Sequence, residues 1–267
     1  MTDRLITSVH NPRIKEAAKL RERRHRKRTG HCLIDGAREL LRALDAGVPI
    51  VEAFVCRDMI DSGEQQTAVE RLEASIATVW ETAINVFAKL AFGDRTEGVI
   101  AVVETPQRTL DSLQLSKTPL VAVLEGVEKP GNLGAVLRSA DAAGVSALIA
   151  ADPATDLYNP NTIRASMGTI FTVPTVAASA EETLAWLRTH QLAIVAARTD
   201  AQRLYHEIDL SHPTAIVLGS EARGLSDLWT AGDITPARLP MLGVADSLNV
   251  SVSAAVMFYE ALRQRSI

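Results

Sequence analysis

The polar residues best placed for chemistry gather in three short stretches of this 267-residue chain. The last stretch is Leu239-Pro240-Met241-Leu242-Gly243-Val244-Ala245-Asp246-Ser247-Leu248-Asn249-Val250-Ser251. An apolar run closed by Pro240 and a flexible Gly243 precede Ser247 and Asn249, which stand at the mouth of an apolar segment running to Leu262. The pattern reads as strand, loop and helix. Val252, Val256, Tyr259 and Leu262 recur at helical spacing, which predicts that they form the buried face and that Ser247, Asn249 and Ser251 lie near the helix start. A helix start carries unpaired amides, so small hydroxyl and amide side chains there either cap the helix or orient a polar substrate. Two more stretches share this character. Leu218-Gly219-Ser220-Glu221-Ala222-Arg223-Gly224 follows the apolar run Ala215-Ile216-Val217, and Pro130-Gly131-Asn132-Leu133-Gly134-Ala135-Val136-Leu137-Arg138 follows Leu120 to Leu124. Each sets glycines and a few polar groups just past a buried strand, where ligands bind in open α/β sheets.

The elements that must hold these stretches alternate. Strands are predicted at Leu120–Leu124, Ala147–Ala150, Ile170–Val173, Leu192–Ala197, Thr214–Leu218 and Ala237–Leu239. Helices fall at Leu133–Ala143, about Thr162–Met167 and Glu181–Thr189, with a helical turn around Leu225 and the long final helix. Such alternation implies a mostly parallel sheet covered on both faces. The first hundred residues make a smaller α/β unit. A helix starts at Asn11-Pro12, and the basic cluster Arg21–Arg28 continues it or frays. Strands follow at Leu33-Ile34, Val51–Cys56, Ile76–Trp80 and Gly98–Val103, with helices at Gly36–Ala46, Ala68–Ala74 and Thr82–Ala91 and a polar loop at Asp61–Gln66. The polar segment after Pro106 reads as a linker, which divides the chain into residues 1–105, 106–118 and 119–267.

Composition fits this picture. Hydrophobic residues make up 47% and aromatic residues only 4%, as suits alanine-rich α/β packing. No apolar run reaches the roughly 20 residues of a membrane helix, and the charged N-terminus lacks a signal-peptide core, so a cytoplasmic protein is expected. Cys32 and Cys56 lack metal-ligand spacing and read as small buried residues, with no disulfide and no zinc. Residues 1–30 hold ten basic residues against three acidic ones, a net of +7, whereas the remaining residues hold 18 against 29, a net of −11. A cationic segment on an acidic protein is the footprint of a polyanion partner such as nucleic acid.

Taken together, the three stretches resemble the motifs of SpoU/TrmH-family RNA methyltransferases of the SPOUT superfamily, in the family's order. They are Asn132-x-Gly134-x-x-x-Arg138-x-Ala140, then Leu218-Gly219-Ser220-Glu221-x-x-Gly224, then Leu239-Pro240-Met241-x-Gly243-x-x-x-Ser247-Leu248-Asn249-Val250-Ser251. The resemblance implies a deep trefoil knot in the second domain and a homodimer through it. It implies S-adenosylmethionine as cofactor, no metal, and methyl transfer to a ribose 2′-hydroxyl of structured RNA. Ribosomal RNA is the first choice and transfer RNA the second, with a binding-only RNA protein as the alternative. Asn11-Pro12-Arg13-Ile14-Lys15, Leu33-Ile34-Asp35-Gly36 and Glu97–Val103 resemble the L30e-like substrate-binding domain of many such proteins. Spacing of Gly126, Gly131 and Gly134 does not match the dinucleotide fingerprint, which argues against an oxidoreductase.

The family's roles carry over residue by residue. Leu218, Gly219, Gly224, Leu239, Met241 and Leu248 match cofactor-binding positions, the glycines allowing close approach of backbone and the leucines and methionine lining an adenine slot. Arg138 matches the arginine at the target nucleotide. Its guanidinium stays protonated, so it would position phosphate and stabilise a developing 2′-oxyanion, with Glu221 as its acidic partner. Asn132, Ser247 and Asn249 would orient ribose or cofactor. Lys129 departs from the common aspartate, and Arg164–Gly168 reads as substrate-side structure. From these motifs, calorimetry on chelator-treated protein is expected to show S-adenosylmethionine binding; heat that returns only with added metal would refute metal-free binding.

Overall fold

The computed structural model describes residues 4–75, 77–91 and 97–266. The chain forms two compact units, one made of residues 1–106 and 158–172, the other of 107–157 and 173–267. The strand start expected at Ile76 lies outside the described residues.

The first unit is built on a five-stranded sheet in the order β1-β4-β3-β5-β2. Its elements are β1 (Leu5–Ile6), α1 (Pro12–Lys19), α2 (Arg23–Thr29), β2 (His31–Asp35), α3 (Ala37–Asp45), β3 (Ile50–Val55), α4 (Gly63–Glu73), β4 (Thr78–Thr82), α5 (Ile84–Leu90) and β5 (Val99–Glu104). β5 runs antiparallel to β2 and β3, and the other pairs are parallel. Local chemistry sets the helix starts. Asn11 accepts from Arg13 N at 2.9 Å with Pro12 in the first turn, and Ser62 accepts from Gln65 N at 3.3 Å. The Ser62 cap starts α4 at Gly63, inside the stretch expected as a polar loop. The basic cluster neither continues α1 nor frays: the chain turns after Lys19 and starts a separate helix, α2. Arg26, 4% exposed, donates to the carbonyls of Leu20 and Arg21 at 2.7 and 2.8 Å and so closes the end of α1. Ile14, Leu33, Phe54, Phe87 and Ile100 fill the core beside the buried, free thiol of Cys56; Cys32 is likewise buried.

The second unit carries a six-stranded sheet, β11-β9-β10-β6-β7-β8, in which every pair is parallel. The strands are β6 (Leu120–Glu125), β7 (Ala147–Ala151), β8 (Thr175–Ala178), β9 (Ala193–Ala197), β10 (Thr214–Leu218) and β11 (Ile234–Ala237). The helices of this unit are α6 (Pro130–Ala142), α9 (Ala180–Thr189) and α10 (Val250–Arg265). Parallel strands covered on both faces are continuous apolar runs, and β7 and β10 are buried at every residue. Val121, Val123, Ile149, Ala215 and Val217 point to the layer that holds Leu184, Leu187 and Trp229. The alternate residues face the layer where α10 packs along α6 and against β10. No helix among the described residues is long and apolar enough to cross a membrane.

Three expectations change. Ile170–Val173 is not a strand: Thr169–Thr172 is a helical turn, α8, and β8 begins after Pro174. Four apolar residues suit a buried turn as well as a strand, and Pro174 forces an extended start only after the turn has ended. The strand expected at Ala237–Leu239 lies earlier, at Ile234–Ala237, because Ile234 joins the core. The buried face of α10 is not the stripe predicted. Ala254, Met257, Phe258 and Ala261 are buried, whereas Val252 and Tyr259 are 46% and 51% exposed. Small residues at 254 and 261 permit the close approach to α6 that Val252 and Tyr259 would prevent.

Residues 158–172, interior to the second unit's sequence, belong to the first unit. α7 (Pro160–Ala165) packs on β2, and α8 packs on α3. Arg42 of α3 donates to the carbonyl of Met167. Gly168 has φ +83°, and a Cβ there would stand 2.9 Å from the backbone Cα of Glu39. Gly168→Ala is therefore expected to destabilise the protein by about 2 kcal/mol or more, because left-handed strain and backbone overlap act together. Gly47→Ala, at φ +69° in open space, should cost less. Thermal melting of the two variants checks the order.

Candidate active site

Parallel strands put their carboxyl ends at one edge, and the polar stretches leave from that edge. The loop after β10 folds back on itself. Gly224 N donates to Ser220 O at 2.9 Å, and Gly224 takes φ +66° to make the return. Gly219 is pressed against this return so closely that a Cβ would lie 2.1 Å from the Gly224 carbonyl carbon. The carboxylate of Glu125, at the end of β6, then accepts from Ser226 N and Ser226 Oγ, both at 2.7 Å, and fastens the loop to the neighbouring strand. Gly219 thus lacks a side chain because its own chain fills the space. At Gly243 an added Cβ would meet nothing within 4 Å and φ is not positive, so the fold itself makes no demand for glycine there.

Glu221 is the hub of the polar cluster. Its Oε2 accepts from Lys129 Nζ at 2.8 Å, and its Oε1 accepts from Asn249 Nδ2. Asn249 Nδ2 also lies 3.4 Å from Asn132 Oδ1, while Asn249 Oδ1 caps α10 by accepting from Ser251 N at 2.9 Å. Asn249 therefore both caps its helix and reaches the cluster, so the two readings of this residue hold together. The Lys129 hydrogen bond, with its charge, holds Glu221 below the usual carboxylate range against partial desolvation, and Glu221 in turn raises Lys129. The lysine that departs from the common aspartate is thus the partner of Glu221, and the sequence reading that left it as an oddity missed its role.

Arg138 is not the partner of Glu221. Six residues beyond Asn132, it lies about 9 Å further along α6 and some two-thirds of a turn round. It is exposed, and its guanidinium makes no hydrogen bond or ion pair among the described residues. Lys129, at the N-cap, is the nearer cation.

A cleft of about 320 Å3 opens past the ends of β9, β10 and β11. Leu218, Gly219, Gly224, Leu239, Met241 and Leu248 all line it, as do Glu221 and Ser247. Arg198 and Thr199, after β9, line it too; no motif in the sequence marked them. Arg198 is held by Asp200 at 2.9 Å. A smaller recess, lined by Lys129, Asn132 and Glu125, shares Gly219, Ser220 and Glu221 with the cleft. The cleft suits S-adenosylmethionine. Leu218, Leu239, Met241 and Leu248 offer an apolar wall for a purine, and the amides of Leu239, Met241 and Leu248 make no backbone hydrogen bond among the described residues, which leaves them for a ligand.

An open parallel sheet with its cleft past the carboxyl ends of the strands defines an α/β protein of the nucleotide-cofactor-binding type. Residues 119–259 match the SpoU rRNA Methylase family, and residues 11–101 match the MRM3-like substrate binding domain. The crystal structure of an RNA 2′-O ribose methyltransferase superposes with a TM-score of 0.86 at 46% identity, over 98% of this chain and 100% of that one. An AdoMet-bound rRNA methyltransferase from Sinorhizobium meliloti gives 0.87 at 29% identity, over 97% of each chain. The 23S rRNA (uridine(2479)-2′-O)-methyltransferase of Streptomyces viridochromogenes is 33% identical over 275 residues, 98% of this chain and 93% of that protein. This chain belongs to the SpoU rRNA methylase family.

The ion pair makes a prediction with a definite sign. Glu221, depressed on folding, contributes stability that is present above the ordinary carboxylate pKa and lost as pH falls through its lowered folded value. Lys129, raised on folding, contributes stability that is present below its ordinary pKa and lost only as pH rises through the raised value. The pair therefore holds across neutral pH. In Lys129→Ala the Glu221 titration, followed by carboxyl carbon NMR, is expected to move up toward the ordinary value; an unmoved titration would contradict the pairing.

Proposed function

We propose that this chain transfers a methyl group to the 2′-hydroxyl of a ribose in ribosomal RNA. The observation that carries the reading is the single cleft into which six positions from two separate stretches open, with Glu221 binding the first stretch, through Lys129, to the third, through Asn249. Ribosomal RNA is preferred to transfer RNA because relatives covering nearly the whole chain are named for 23S rRNA. When bound, S-adenosylmethionine supplies a methyl group already electrophilic on its sulfonium. The protein's part is then alignment and charge.

Leu218, Leu239, Met241 and Leu248 hold the apolar part of the cofactor, and the Gly219 backbone, fixed by Gly224 and Glu125, forms the rigid floor. Asn132, Glu221 and Asn249 orient the ribose edge, and Ser247 offers a hydroxyl from the cleft wall. Arg138, exposed and uncommitted, positions a phosphate of the target and stabilises the developing 2′-oxyanion. The protein works in the cytoplasm as a homodimer of knotted domains; for the dimer alone, the exposed Val252 and Tyr259 on α10 offer an apolar face that a second copy would cover. Residues 1–105 serve as the RNA substrate-binding domain, in keeping with their cationic N-terminal segment.

Arg138→Ala tests the reading. Alanine suits the helix, so folding and cofactor affinity should be unchanged, whereas single-turnover methylation of a 23S rRNA transcript should fall by roughly 100-fold. Activity within a few-fold of the parent would return Arg138 to the status of a surface residue.

A further inference from the structure

Eight of the ten basic residues of the N-terminal segment fall into two sets; Arg4 and the exposed Lys15 of α1 belong to neither. One set is taken up inside its own unit. Arg13 pairs with Glu52 at 3.1 Å and lies 4.4 Å over the Trp80 ring. Lys19 pairs with Glu16 at 2.5 Å, and Arg21 donates to the carbonyls of Lys89 and Leu90 at 3.1 and 2.8 Å, closing the end of α5. Arg26 closes α1 in the same way.

The other set lies on α2. His25 and Arg26 turn inward, and Arg23, Arg24, Lys27 and Arg28 turn outward. Outward positions 23 and 27, and 24 and 28, are four apart on the helix, so each pair sets like charges side by side. Such pairs weaken a helix standing alone in water. Neither Arg24 nor Lys27 makes a hydrogen bond or ion pair among the described residues, so one member of each like-charge pair is left without a partner of opposite charge; Arg28 has the Glu16 carboxylate within electrostatic reach. Arg28 donates to His25 Nδ1 at 2.9 Å through one nitrogen. An arrangement that costs the free protein stability gains it back when a polyanion lies across it. The rest of the chain has a net charge of −11, so this face is set off sharply from an acidic background.

We propose that the outward face of α2 is the surface that grips the phosphate backbone of the RNA substrate, with Arg24 and Lys27 as its principal contacts. The inference rests on the RNA methyltransferase reading and narrows it from a whole cationic segment to one helix face. Arg13, Lys19, Arg21 and Arg26 lie outside the surface because they are spent on the fold. The contact carries no sequence information, since it engages phosphates rather than bases.

The test titrates a 23S rRNA transcript at several salt concentrations against three proteins: the parent, Arg24→Gln/Lys27→Gln, and Arg13→Met/Arg21→Met. Both variants lose the same charge. The α2 variant is expected to bind roughly tenfold more weakly and to flatten the slope of log K against log salt by about 1.5, as loss of two phosphate contacts requires. Its melting temperature should equal or slightly exceed the parental value, because both like-charge pairs are relieved, and its S-adenosylmethionine affinity should stay parental. The Arg13/Arg21 variant should melt lower yet keep the parental slope. A parent that binds no RNA would overturn the RNA reading itself. A parent that binds, with affinity and slope of the α2 variant within twofold of it, would overturn the α2 assignment alone. Equal flattening in both variants would also overturn it, since net charge rather than a surface would then set the affinity. Arg24→Ala/Lys27→Ala repeats the measurement should the glutamines lower melting.

Discussion

All six strands of the larger sheet point the same way, and this one constraint decides where the chemistry sits. A parallel sheet gathers every carboxyl end at one edge, so the loops after β6, β9, β10 and β11 meet there however far apart they lie in sequence. Burial supplies the energy that keeps the strands in register, because β7 and β10 are apolar at every residue and have no solvent-facing side. The loops themselves are then free to be polar. Glu125, the last residue of β6, shows the coupling most directly: strand register sets its position, and its carboxylate sets the path of the loop after β10.

Within that frame the charged groups are economical. One carboxylate, Glu221, draws Lys129 from the first stretch and Asn249 from the third to the second, so three separate segments share a single acceptor. The pair is partly exposed, with the Lys129 side chain at 71% and Glu221 at 27%, and water screens much of its attraction. Its importance is therefore geometric. Asn249 is held from both ends, by Glu221 at its amide nitrogen and by Ser251 at its oxygen, which fixes which way the amide faces.

Much of this was legible in the sequence, and the gaps have physical causes. β10 falls at Thr214–Leu218 as predicted, because a run of apolar β-formers bounded by Pro213 and Gly219 admits few other structures. All six positions expected to meet the cofactor line one cleft, since motif and strand end coincide. Failures came where a local pattern had two equally good partners. The final helix has one stripe of large apolar residues and another of alanines with Met257 and Phe258, and only the presence of α6 decides that the second is buried. Glu221 was paired with Arg138 by motif membership, whereas the actual partner, Lys129, is 92 residues away in sequence and was visible only as a deviation. Gly219 was read as letting backbone approach the cofactor closely, and the fold adds a demand that the sequence did not show: a Cβ there would meet the Gly224 backbone.

The excursion of residues 158–172 has a bearing on how the protein is made. The first unit is not a contiguous piece of chain: β2 and α3 receive α7 and α8 only after residues 107–157, which belong to the other unit, have left the ribosome. Chains usually complete their N-terminal domain first during synthesis. Here the earlier unit finishes late, and the faces of β2 and α3 that await α7 and α8 stay uncovered while the first two strands of the parallel sheet, β6 and β7, are being threaded out. The order of synthesis thus ties the two units into one folding event and leaves neither a cut point at residue 106 nor a simple exchangeable module.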